Sequence, residues 1–238
     1  MGWDDLLRDI ASAHQRLDGS IPDFLDLAER HRTRIYCEKG CCNCCTLAVN
    51  CSFPEALAIS RMLSAVQQIA LAEKLPVLRE ISRQAGSLKD FLRLFRERLA
   101  GCPFLDHADG SCSIYPVRPF SCRALLSTRN SSWCAVDFAS LHPLEQEAFL
   151  SSLDPELVAF PTHYLAASRD LGLELENQAV AAMRTAFGIG LSGTLIYLVW
   201  LEQEYQLSEG IEQGTAATLK FVKEHNLDLP YLLQWSED

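Results

Sequence analysis

Apolar and polar positions alternate with helical period over most of this chain. Residues 3–17 and 22–35 read as two helices, the second opening on Pro22, whose fixed φ suits a first turn. Thr46 to Cys51 reads as a short extended piece. Ser52-Phe-Pro-Glu55 is a capping box, in which Ser52 accepts from first-turn amides and Glu55 reaches back to the Ser52 N–H. A helix is predicted from there to about Ala72, and Leu75 to Leu99 supplies one or two more, with Gly86 as the candidate break. Around Gly110 to Tyr115 a turn leading to a short strand is expected, because Pro116 and Pro119 stop a helix there. Further on, helices are predicted over Leu144–Ser152, Pro155–Arg169, Glu174–Phe187, Leu191–Tyr205, Thr215–His225 and Pro230–Trp235.

The fold class that follows is mainly α: a single compact helical unit with an embedded irregular cysteine-rich metal-binding module and little or no β. Its expected parts are N-terminal helices over 1–36, the cysteine module over 37–134, and an acidic helical region over 135–238 packed on it. The apolar run Ala186–Leu201 is sixteen residues long and is followed at once by Glu202. A membrane-spanning helix needs about twenty, so a buried core helix is expected and no membrane span.

Cysteine placement changes the picture from packing to chemistry. Residues 37–45 read CEKGCCNCC, five cysteines in nine positions, and all ten cysteines fall between 37 and 134. Two C-x2-C pairs interleave, Cys41 with Cys44 and Cys42 with Cys45, a spacing whose thiolates converge on zinc or iron. Because neighbouring side chains diverge, two centres are easier to build from this run than one. Cys102, Cys112, Cys122 and Cys134 follow at intervals of ten, ten and twelve. An antiparallel pair of helices between the two groups would return the chain to its start and bring them together. A disulfide framework is the competing reading of an even cysteine count. It is set aside because the N-terminal segment MGWDDLLRDIASAH is acidic and lacks an apolar signal core, and because 238 residues can bury a core without staples. A reducing cytoplasm is the expected compartment, where such cysteines serve as metal or redox groups.

Charge supports a metal. Residues 37–134 carry twelve basic against eight acidic side chains, whereas 1–36 carry five against seven and 135–238 four against sixteen. The cysteine segment alone is cationic, as befits a host for anionic thiolate centres. Arg118 and Arg123, flanking Cys122, are the expected N–H donors to sulfur, with capping of backbone carbonyls as the alternative role. The basic run Lys89, Arg93, Arg96 and Arg98 is interleaved with the stripe Leu88, Phe91, Leu92, Phe95 and Leu99, so it reads as the polar face of an amphipathic helix. With a net charge of −10, binding to nucleic acid is not expected.

The pattern Cys37-x3-Cys41-x2-Cys44-Cys45, then CPFLDHADGSCSIYPVRPFSCR from Cys102 to Arg123, then Cys134, resembles the bacterial cysteine-cluster family of zinc- or iron-chelating domains, which includes the flagellin lysine N-methylase. The resemblance implies eight metal ligands: Cys37, Cys41, Cys44, Cys45, Cys102, Cys112, Cys122 and Cys134. Cys42 and Cys51 are additional to it; Cys51 reads as a buried bystander, and Cys42 leaves the ligand register open. An iron-sulfur cluster or iron is placed ahead of zinc as the cofactor, in a redox or electron-transfer role with an unknown redox or protein partner. A structural zinc module and a protein lysine methyl-transfer enzyme are the alternatives.

Other constellations are thin. The six histidines form no H-x-x-x-H or H-E-x-x-H pair. Gly188, Gly190 and Gly193 spell G-x-G-x-x-G, but the preceding segment reads as helix, so a glycine-rich junction is expected. His107 reads as an exposed loop histidine and Tyr115 as packing beside Cys112.

Overall fold

The computed structural model describes residues 2–237. Helices α1 (Trp3–Gly19) and α2 (Ile21–Arg30) form the N-terminal hairpin, with Pro22 in the first turn of α2. Strand β1 (Asn50–Ser52) leads directly into α3 (Phe53–Ser60), and the Ser52–Glu55 capping box forms as the sequence predicts, with Glu55 Oε2 taking the Ser52 N–H at 2.8 Å. The predicted continuation to Ala72 does not occur. A second capping box, with Gln67 Oε1 2.8 Å from the Ser64 N–H, starts a separate helix α4 (Ala65–Gln84). After a break at Ala85–Ser87, with Ser87 capping, α5 (Leu88–Arg98) buries Phe91 and Phe95.

Short helix α6 (Phe120–Arg123) lies in the irregular stretch, followed by α7 (Pro143–Ser151), α8 (Ala166–Phe187), β2 (Ile189–Thr194), α9 (Leu195–Tyr205), α10 (Leu207–Glu212), α11 (Thr215–Glu224) and β3 (Leu233–Glu237). Three predictions fail here. The helix expected over Pro155–Arg169 is a set of turns until Ala166, because Pro161 lacks the N–H that a helix interior requires. The predicted helix Leu191–Tyr205 begins four residues later, its first part being the central strand of a sheet. Pro230–Trp235 gives way to β3 in place of a helix.

The sheet is antiparallel with order β1-β2-β3, pairing Cys51 with Gly193 and Leu191 with Trp235. It stitches the start of the cysteine-rich region to the C-terminal third, so the chain is mainly α with one small sheet. Two buried clusters hold it together. One gathers Phe53, Leu57, Leu78, Ile81 and the apolar face of α9; the other gathers Ile10, Leu17, Phe120, Leu126, Phe149, Leu165 and Leu175. Each such side chain contributes about 1.5–3 kcal/mol on full burial. Helix α9 is buried nearly all round, from Leu195 to Val199 and at Leu201, as the apolar run demanded. Among the described residues, no helix is long and apolar enough to cross a membrane. On α5, Arg93 pairs with Asp90 and Glu97 of the same helix, and Arg98 reaches across to Glu80 on α4.

Candidate metal centre

The helical excursion α3–α5 returns the chain to its starting point, and backbone bonds fasten the two cysteine groups to each other. The Cys102 N–H donates to the Cys45 carbonyl at 2.9 Å. Lys74 on α4 holds the carbonyls of Leu99 and Ala100, which fixes the exit from α5 just before Cys102. The early cysteines sit on an irregular loop and a 3-10 turn over Asn43–Thr46, with Cys42 preceding it. Asn43 Nδ2 donates to Ser131 Oγ at 3.1 Å, joining that turn to the 3-10 turn Ser131–Ala135 that carries Cys134.

Glycine is required where the loops cross. Gly40 and Gly110 both have positive φ, at 85° and 73°, and a Cβ on Gly110 would stand 2.4 Å from the Gly40 carbonyl oxygen. Only bare backbone lets the loop before Cys41 lie against the loop before Cys112.

These connections surround a cavity of about 850 Å³ whose lining includes Cys37, Cys41, Cys44, Cys45, Cys102, Cys112 and Cys122. Cys134 stands off this lining, 5% exposed, close to Cys41 and Cys44. Cys51 is fully buried in β1, and neither it nor Cys42 lines the cavity. All ten cysteines are free thiols. Among the described residues, no three His, Cys, Asp or Glu side chains close on a point as ligands to one ion would; the thiols are spread around the cavity. Apolar side chains, among them Leu47, Val49, Phe95, Ile114 and Leu126, complete the walls.

Mutual proximity is visible in the thiol acidities. Burial, followed by Cys112 and Cys44, pushes the Cys102 thiol up to about 12. Cys44 is raised by its hydrogen bond with Cys45 and then by burial. Cys37 is raised by burial and then by Cys134, Cys44 and Cys41, while Cys122 is raised by burial, Cys102 and Cys44. Cys44 thus faces two sets of neighbours. So many thiols near one another ionise together only if a positive centre compensates them, which is what a metal supplies.

The protein's own compensation is small. Arg118 eases ionisation of Cys44, Cys112 and Cys122. Its guanidinium lies 4.3 Å over the Tyr115 ring, and its buried Nε has no hydrogen-bond partner. A buried N–H without an acceptor beside a thiol-lined cavity fits an anionic metal-thiolate group. Arg123 is 4% exposed and directs its donors to Asp18 and to the carbonyls of Arg118, Tyr115 and Pro116, bracing the turn between Cys112 and Cys122. Of the thiols, its charge bears on Cys112.

Two contributors escape sequence reasoning. Glu55, read only as a helix cap, is fully buried and also accepts the Phe120 N–H at 2.7 Å, tying the start of α3 to the start of α6 just before Cys122. His163, far outside the cysteine segment, places Nε2 3.4 Å from the Cys134 sulfur. No local motif announces either contact. His107 is exposed on its loop, and the G-x-G-x-x-G stretch runs from the α8 cap through β2.

One comparison bears on the segment that supplies all these thiols. Residues 36–139 match the CxxCxxCC family model, described as a putative zinc- or iron-chelating domain. This match supports binding of zinc or iron by the chelating segment, and every cysteine of the chain falls within it. Residues 1–35 and 140–237, including α8, β2 and α9, lie outside it and frame it. No curated protein and no solved structure matches the chain.

Proposed function

We propose that this protein holds an iron-sulfur cluster in its thiol-lined cavity and serves in electron transfer. The observation that carries the reading is the distribution of the donors: seven thiols spread around an 850 Å³ cavity, with the eighth family cysteine beside them. A polynuclear cluster accepts sulfur ligands separated across its own width, whereas one zinc ion draws four sulfurs to about 2.3 Å from a single point. The expected ligands are drawn from Cys37, Cys41, Cys44, Cys45, Cys102, Cys112, Cys122 and Cys134, four to each cluster. Such a cluster supplies one-electron chemistry at a potential set by burial, charge and N–H donors to sulfur. The chain's own part is to present the thiolates, to compensate them with Arg118, and to exclude water with the apolar wall of Leu47, Val49, Phe95, Ile114 and Leu126. The methyl-transfer alternative gains no support from the glycine element, because Gly190 and Gly193 are packed against Val180 and Leu232 and leave no phosphate loop.

Protein purified without oxygen should be brown, absorb blue light, and contain iron and acid-labile sulfide. Cys44→Ala and Cys122→Ala should lower metal content, and Cys51→Ala should spare it. Colourless protein with stoichiometric zinc would establish the structural zinc reading in its place.

A further inference from the structure

We propose that His163 is a positioning residue of the metal centre, donating its Nε2–H to the Cys134 sulfur from outside the chelating segment. The inference rests on the metal-binding reading above and adds a residue that the family match, ending at 139, does not contain.

The geometry is fixed by a short ladder. Leu165 N–H donates to the Leu126 carbonyl at 2.9 Å, and the Thr128 N–H and Oγ1 both donate to the His163 carbonyl at 3.0 and 2.8 Å. Ser127 and Tyr164 pair as an antiparallel bridge between them. The imidazole is 7% exposed, with its ring edge-on to Phe149 and tilted against Tyr164. Three rungs and two aromatic contacts leave it little freedom to turn away from Cys134.

The same ladder serves a second sulfur. The Ser127 N–H points at Cys37 Sγ at 3.2 Å, and Ser127 and Tyr164 also lie within hydrogen-bonding reach of Cys134. The 126–128 and 163–165 segments therefore deliver donors to two sulfurs on one edge of the site. A metal-bound thiolate has lone pairs and no proton, so it can only accept. The imidazole nitrogen facing it must then carry the proton, which sets the tautomer of His163. Such a donor withdraws electron density from sulfur, making the thiolate easier to keep ionised and less electron-rich toward the metal.

The test uses the full chain purified anaerobically with its own metal, beside His163→Phe, which keeps the packing on Phe149, and His163→Gln, whose amide N–H can still reach sulfur. Stripping by EDTA should be at least about tenfold faster in His163→Phe and close to wild type in His163→Gln, the range usual for partners of metal ligands. The thiolate-to-metal absorption, read directly for iron or after cobalt(II) replacement for zinc, should move to lower energy in His163→Phe and return in His163→Gln. Unchanged stripping and absorption in His163→Phe would overturn the assignment while leaving metal binding intact. If that variant does not fold, the nitrogen NMR shifts of the wild-type His163 ring decide: Nε2 protonated is expected, and Nε2 unprotonated would overturn the donor role. X-ray absorption showing a nitrogen at about 2.0 Å from the metal that vanishes in His163→Gln would make His163 a ligand and refute the donor role. Wild-type protein without metal would remove both this proposal and the reading beneath it.

Discussion

Glu176, half-buried on α8 beneath the cysteine module, opposes folding when ionised. Burial first and the neighbouring Glu55 second raise its pKa from 4.5 to about 8. Between those two values the native state binds more protons at this position than the unfolded chain, so its contribution to stability falls as pH rises across that window. Glu176→Gln, neutral throughout, should have a higher urea midpoint than wild type at pH 8, with the gap shrinking toward pH 5; parallel curves for the two proteins would refute it. Neither carboxylate's environment is legible in the sequence. Glu55 is readable as a helix cap because Ser-x-x-Glu is local, but its bond to Phe120, sixty-five positions away, depends on how α3 and α6 meet. His163 is hidden for the same reason, since sequence spacing says nothing about which distant backbone it will pair with.

Helices read well wherever their signals are local. The Ser52 box, Pro22 in the first turn of α2 and the amphipathic stripe of α5 all form as the pattern predicts. The errors cluster where an apolar run carries no clear period. Residues 186–201 contain the central strand β2 and the first seven residues of the buried helix α9, and continuous burial erases the alternation that would tell them apart. The glycines held the missing information. A Cβ on Gly193 would lie 2.1 Å from the Leu232 carbonyl oxygen, and one on Gly190 would meet Ser236 Oγ at 2.4 Å, so β3 and the residue before it pair with β2 too closely for side chains at these two positions. Gly193→Ala must push backbone apart and should cost about 1–3 kcal/mol or more, the range for overpacking. Gly210→Ala in α10, with nothing within 4 Å of its added Cβ, should be neutral or stabilising by about 0.5–1 kcal/mol. Denaturant titration of the two variants checks the contrast, and equal stabilities would mean that β3 shifts freely.

None of the candidate ligand thiols is a buried member of either apolar cluster, although Cys102 and Cys112 pack against the first, and that division sets what the metal does for the fold. Cavity walls come mostly from residues 37–49, 95–126 and 194–196, with Asp18 and Ile21 from the N-terminal helices, and much of this lining is turn and 3-10 structure. Helices α4, α8 and α9 and strand β2 are instead anchored by two clusters whose buried members include, of the ten cysteines, Cys51 alone. The sequence made the segregation of cysteines plain, but not that β1 would join their segment to the C-terminal third through β2. If thiolate-metal bonds hold the walls and apolar burial holds the frame, stripping the metal should release the first without the second. A bound metal present at a hundredfold over its Kd adds about 2.7 kcal/mol to whatever unit depends on it, enough to keep a loop-rich wall closed. Hydrogen exchange on metal-stripped protein should therefore show amide protection lost over 37–47 and 101–135 and retained in α8, α9 and β2, with far-UV helicity largely preserved. Loss of protection across α9 as well would show instead that frame and centre unfold as one unit, as small zinc-dependent domains do.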